Sequence, residues 1–165
     1  MSFDLWVHNN VFTFQWWLLG IFLIAPWFLW WKLVDKQRLA EILLYGLMVL
    51  ISASYLDEIG SELTLWVYPY KFLPVFKQLT TANFTMLPII YMLIYQYFER
   101  WKSFLTASIL MAIAFLFLGE ALRWLGIYRI YHWNHIYSFS IYITMALFLR
   151  WLTKTIVSIQ QKEVR

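Results

Sequence analysis

The sequence predicts an all-α fold: an integral membrane bundle of five transmembrane helices, with an interfacial or re-entrant segment between the second and third. Three observations carry this. Of 165 residues, 62% are hydrophobic and 13% charged, against about 25% charged in typical soluble domains. Apolar runs of about 18 residues or more recur along the chain, and such runs are long enough to cross a bilayer. Trp and Tyr crowd the ends of those runs (Trp6, Trp16, Trp30, Trp31, Trp101, Trp124, Trp133, Trp151), as interfacial belts do. One transmembrane domain, 1–165, accounts for the whole chain.

The first span covers about 11–31. Pro26 predicts a kink there, because proline removes a backbone donor and crowds the preceding turn. No Lys or Arg precedes this run in MSFDLWVHNN, and no small-residue cleavage pattern follows. It therefore reads as a retained helix rather than a signal peptide. A short polar link, 32–38, leads to the second span, 39–56, which opens near Glu41. The third span is 81–98, with Pro88 near its middle. Residues 99–102 make a tight turn into the fourth, 104–122. The fifth is 136–152, followed by a polar tail.

Five spans put the termini on opposite sides, and the positive-inside rule chooses which. With the N-terminus outside, the inner segments hold Lys32, Lys36, Arg38, Arg100, Lys102, Arg150, Lys154, Lys162 and Arg165. The outer segments hold only Lys71, Lys77, Arg123 and Arg129. The expected topology is N-out, C-in. With no cysteine, disulfides, thiolate metal sites and cysteine nucleophiles are excluded. Glycine-rich phosphate loops, zinc-protease motifs and nucleophile elbows are missing. So is any basic stripe that would bind nucleic acid.

The chemistry that remains gathers on the expected outer side. LDEIGSELTLWVYPYKFLP, residues 56–74, sets Asp57, Glu58 and Glu62 just past an apolar run. Trp66, Tyr68, Tyr70, Lys71 and two prolines follow. A loop of this length is often functional or carries structure of its own. The plainer reading is an aromatic belt with a few solvated acids. Asn83 opens the third span; NFT there matches a glycosylation sequon in form only, being within bilayer reach. Glu120, in FLFLGEALRWLG, lies near the outer end of the fourth span, and ionisable groups inside spans usually face the interior or a cavity. Arg123, three residues on, is at ion-pair spacing. Glu120 is expected to point into the bundle and meet Arg123, Arg129, His132 or His135, with Asp57 and Glu58 approaching the same pocket. His132 and His135, in HWNH, are spaced to offer two imidazoles to a metal, which would need one or two further ligands. Asn134 completes the ligand-binding candidates, which are Asp57, Glu58, Glu62, Tyr70, Asn83, Glu120, Arg123, Arg129 and Asn134. Glu41, Tyr45, Met48, Ser52 and Tyr55 form a polar-aromatic stripe along the second span, read as interhelical packing. Tyr91 and Tyr95 add hydroxyls inside the bundle.

LWVYPYKFLP, TMLPIIYMLIYQYFERWKSF and LGIYRIYHWNHIYSFSIYI together resemble a family of small multi-spanning membrane proteins of Bacillus and Clostridium type bacteria, over roughly residues 55–145. The chain departs from that pattern at Glu120-Ala121, where the family has Glu-Pro, and at Ser138-Phe139-Ser140, where it has Ser-Phe-Pro. The resemblance implies a multi-pass protein of the bacterial cytoplasmic membrane and brings no activity with it.

The functional expectation is a non-enzymatic polytopic membrane protein acting through a protein partner, a second copy of itself or a small ligand at its outer face. No cofactor is expected, and the lipid bilayer is its surroundings. An alternative is an enzyme or binder for a lipophilic, isoprenoid-like substrate. Its outer acids would supply protons and its aromatic faces would hold developing cations. A proton-coupled transporter subunit is a third reading. It is weakened by the lack of an inverted repeat and of carboxylates deep in the membrane.

Overall fold

The structure is a computed structural model and describes residues 3–163; Arg165, counted above among the inner cations, lies outside them. Helices dominate: α1 (Phe3–Asn10), α2 (Phe14–Leu33), α3 (Leu39–Glu62), α4 (Leu87–Tyr97), α5 (Trp101–Trp124) and α6 (His135–Glu163). Local chemistry sets several ends. Thr13 caps α2, its hydroxyl oxygen accepting from the Trp16 N–H at 3.2 Å, the usual role of a side-chain oxygen before a helix. Asp35 does the same for the 3-10 turn Lys36–Arg38, accepting from the Gln37 N–H at 2.9 Å. α5 stops where Gly126 takes φ +74°, a conformation costly to residues with a Cβ. The Ile127 N–H then closes the end on the Leu122 carbonyl at 2.9 Å.

Among the described residues four helices are long and apolar enough to cross a membrane: Phe14–Leu33, Lys36–Glu62, Trp101–Trp124 and His135–Lys162. Their outward faces fit a hydrocarbon solvent. On α2, Ile21, Phe22, Ile24, Phe28, Leu29 and Trp31 are all exposed. Soluble monomers rarely leave so continuous an apolar face uncovered.

The expected span at 81–98 is the one that differs. It is a composite, a π-helical turn over Ala82–Met86 running straight into eleven residues of α4. The turn explains itself through Pro88, which lacks an N–H and cannot continue a regular ladder. The Leu87 N–H reaches back five residues to the Ala82 carbonyl, the wider loop of a π-bulge. In α2 the helix passes through Pro26 unbroken. α3 and α6 outrun their expected bounds of 39–56 and 136–152, because charged residues end an apolar run without ending a helix.

Between α3 and the π turn the chain is not helical over most of its length. β1 (Trp66–Val67) pairs antiparallel with β2 (Arg129–Ile130), Trp66 opposite Ile130 and Val67 opposite Arg129. So short a ribbon has no readable alternation, and the all-α expectation omits it.

The main core lies among α3, α4, α5 and α6, around Ile42, Tyr45, Val49, Tyr91, Tyr95, Phe104 and Met145. On α3 the buried side is Ile42, Tyr45, Gly46, Val49, Ala53, Asp57 and Gly60. This is rotated from the stripe expected in the sequence, and Tyr55 of that stripe is exposed. α2 packs on the π turn and α4, and α5 packs on α6, while α2 and α5 make little or no contact. A second small core of Leu19, Leu79 and Ile127, with Tyr68, Tyr70 and Phe72 against it, caps one end of the bundle.

Candidate functional site

Asp57 is the centre of that capped end. It is 9% exposed, and four donors converge on its two oxygens. Oδ1 accepts from the Trp66 indole N–H at 2.7 Å and the Tyr68 hydroxyl at 2.8 Å. Oδ2 accepts from the Leu79 backbone N–H at 3.0 Å and the Asn83 amide at 2.6 Å. An ionised carboxylate only accepts and has about four lone-pair sites; all four are taken here. A protonated carboxyl would have to surrender one of them.

Each donor reaches Asp57 for a local reason. Trp66 and Tyr68 are two apart on an extended stretch, so they share a face. Gly60, one turn beyond Asp57, lets the Trp66 indole lie directly on the helix backbone; a Cβ there would collide with the ring. Asn83 sits in the π turn and is itself buried, its amide also donating to Gln78 Oε1 at 2.8 Å. That burial removes it as a glycosylation acceptor. α1 and the start of α2 hold the loop down from outside. The Trp6 indole donates to the Lys71 carbonyl at 3.1 Å, and the Lys71 N–H donates to Asn10 Oδ1 at 2.8 Å. Trp16 stacks on Phe72 with centroids 4.9 Å apart.

Beneath this cap lies a cavity of about 410 Å³, within the usual range of small-molecule sites. Leu18 and Phe22 of α2 form one wall, and Leu118, Gly119 and Leu122 of α5 the facing one. Ala53 and Asp57 of α3, the π turn and Tyr142 and Met145 of α6 form the rest. α2 and α5, which both line the cavity, scarcely touch each other. The Gln15 amide bridges the gap at the capped end, donating to the Leu125 carbonyl at 3.4 Å.

The polar lining is sparse: Asp57, Asn83, Thr81, Ser138, and the tyrosines Tyr68, Tyr128 and Tyr142 with Trp66 and Trp133. Tyr68 and Tyr128 stack at 5.4 Å. Burial, and then the Asp57 charge, push the Tyr68 hydroxyl well above the ordinary tyrosine range. Tyr128 is raised by burial first, then by Tyr142 and Asp57. Both stay neutral phenols, and Tyr68 donates to Asp57 as such. The Tyr128 and Tyr142 hydroxyls take no hydrogen-bond partner among the described residues.

The residues expected from the sequence divide into separate places. Asp57 and Asn83 are joined. Glu58 caps the following segment, its carboxylate accepting from the Gln78 N–H at 3.0 Å. Glu62 pairs with Lys77 at 2.6 Å on the surface. Tyr70 packs in the small core. Glu120 meets Arg123 at 3.2 Å and His135 at 2.8 Å, but it is about half exposed and stands outside the cavity. It does not point into the bundle, because its neighbours Gly119 and Ala121, not its own face, line the cavity wall. Arg129 lies in β2, and Asn134 Oδ1 accepts from the Ile136 N–H at the start of α6. His132 is exposed, its backbone N–H donating to the Leu65 carbonyl. Among the described residues no three His, Cys, Asp or Glu side chains gather for a metal. His135 is turned to Glu120, 2.8 Å away.

Trp66, Tyr68, Tyr128, Trp133 and Tyr142 were not among the expected site residues. The alternation Trp66, Tyr68, Tyr70 is the one signal that could have singled out the first two. The others are brought in from distant elements. Comparison with protein-family models, with curated proteins and with solved structures finds no match.

Proposed function

We propose that this chain is a membrane-embedded binding protein for an amphiphile. The ligand's apolar body would enter between α2 and α5, and its polar head would rest beneath the Asp57 cap. In this reading the composite helix 81–98 completes a five-span bundle in a bacterial cytoplasmic membrane, with the N-terminus and the Asp57 end outside. The observation that carries it is the cavity itself. It is lined mostly by apolar side chains, lies between two helices that scarcely touch, and is bordered at one end by the hydrogen-bonded Asp57 cap. A protein that used Asp57 only to fasten a loop would have no need of the space beside it. The enzyme alternative fares less well, because a carboxylate that accepts from four donors is held as an acceptor and has no proton to supply to a substrate.

Gly119 supplies the test. It lines the cavity, and a Cβ there meets nothing within 4 Å, so Gly119→Leu places a bulky side chain in the cavity wall from a position with room at its Cβ. Protein purified in a mild maltoside detergent is analysed by native mass spectrometry and solvent extraction. The wild type is expected to carry an amphiphile near one per chain, and Gly119→Leu to lose it while keeping its helical content and eluting as a single folded species. Equal lipid content in the two proteins would overturn the reading.

A further inference from the structure

The cavity's charge says more about the head group, on the premise that the cavity binds an amphiphile at all. Among its lining residues Asp57 is the single charged one; no Lys, Arg or His is present. The four donors on Asp57 are neutral groups, so they orient the carboxylate and leave its negative charge in place. Among the described residues no cation lies within ion-pair distance of it. The nearest candidate in sequence, Lys71, sends its ammonium to the Phe76 carbonyl at 3.0 Å. In a low-dielectric wall an unmatched charge attracts its opposite far more strongly than in water. Beside it stand aromatic faces, Tyr68 stacked on Tyr128 and Trp66 edge-on to Trp133 at 4.9 Å, the surroundings in which quaternary ammonium groups are held. The free Tyr128 and Tyr142 hydroxyls add acceptors. An anionic head would meet the Asp57 charge with no Lys, Arg or His in the lining to offset it, and a neutral one would leave that charge without a counter-ion.

We infer that the ligand's head is cationic: an ammonium seated between the Asp57 carboxylate and the tyrosine and tryptophan faces, with its hydrocarbon chain running out between α2 and α5. The ammonium can belong to a free lipophilic amine or to a zwitterionic lipid headgroup.

The test is a charge series on one chain length. Unfolding midpoints are measured in maltoside micelles containing dodecyltrimethylammonium, dodecylphosphocholine, dodecanol or dodecyl phosphate, each at the same mole fraction of the micelle. Dodecyltrimethylammonium is expected to raise the wild-type midpoint by several degrees, with dodecanol and dodecyl phosphate far behind. The rise should be absent in Gly119→Leu. A matching rise with dodecylphosphocholine assigns the headgroup source, and its absence assigns a free amine. Asp57→Asn should abolish the preference for the ammonium; should that variant not fold, the wild-type series decides alone. Dodecanol or dodecyl phosphate stabilising as well as the ammonium would overturn the cationic head while leaving the cavity as a ligand site. No ligand-dependent difference between wild type and Gly119→Leu would overturn both.

Discussion

Two glycines of the same bundle have opposite tolerances, and the difference comes from single contacts. At Gly60 an added Cβ would run into the Trp66 indole, whereas at Gly119 it meets nothing within 4 Å. Gly60→Ala must therefore push Trp66 off the helix, and with it the 2.7 Å hydrogen bond to Asp57. Overpacking of this kind costs about 1–3 kcal/mol. Gly119→Ala relieves backbone entropy instead and gains about 0.5–1 kcal/mol of helix propensity. Thermal unfolding in detergent should show Gly60→Ala melting below the wild type and Gly119→Ala at or above it. Equal midpoints would mean that the indole does not rest on α3.

At the scale of elements, Arg150 is to the opposite end of the bundle what Asp57 is to the capped one. It is 1% exposed. Its guanidinium donates to the Phe98 carbonyl at 2.6 Å and to the Glu99 carbonyl, just past the end of α4, where helix carbonyls lack partners. Its plane lies over Phe104 at 4.2 Å and Trp101 at 4.8 Å. One side chain of α6 thus ties the α4–α5 turn in place. Nearby, Arg38 bridges Glu41 at 3.2 Å and Glu99 at 2.7 Å, and Tyr95 donates to Glu41. Lysine would keep the charge at 150 but lose the planar fork. Arg150→Lys should lower stability by about 1.5–3 kcal/mol, the worth of a charged hydrogen bond. Arg100→Lys, at an exposed position, should do nothing measurable. Chemical denaturation of the two variants side by side checks this, and indifference to Arg150→Lys would remove the staple.

For the whole molecule the open quantity is its direction across the membrane. The proposed N-out arrangement places the ribbon and its flanking loop outside. Val75, 79% exposed on that loop, and Gln37, exposed at the opposite end, are suitable reporters in a chain without native cysteine. Ser61, by contrast, is buried. Val75→Cys should react with a membrane-impermeant thiol reagent on intact cells, and Gln37→Cys only after permeabilisation. The reverse pattern would put the Asp57 end in the cytoplasm and the cavity's mouth in the other leaflet.

By itself the sequence determined that the chain is helical and apolar enough for a membrane, because hydrophobic run length is a local property. It also marked residues 56–74 as the stretch carrying chemistry. It could not rank the acids within that stretch. Glu120 is the more conspicuous carboxylate in one dimension, standing alone in an apolar run. Asp57 looks like the first charge past a helix. Which of them is buried depends on Asn83, Leu79, Trp66 and Tyr68 arriving from other elements, and no spacing along the chain records that convergence. The same holds for the composite helix at 81–98. Pro88 announces a disturbance, but only the packing of α2 and α3 against the π turn settles its form. The cavity is tertiary in the strictest sense: it exists because α2 and α5, separated by some seventy residues, are held apart by the elements between them.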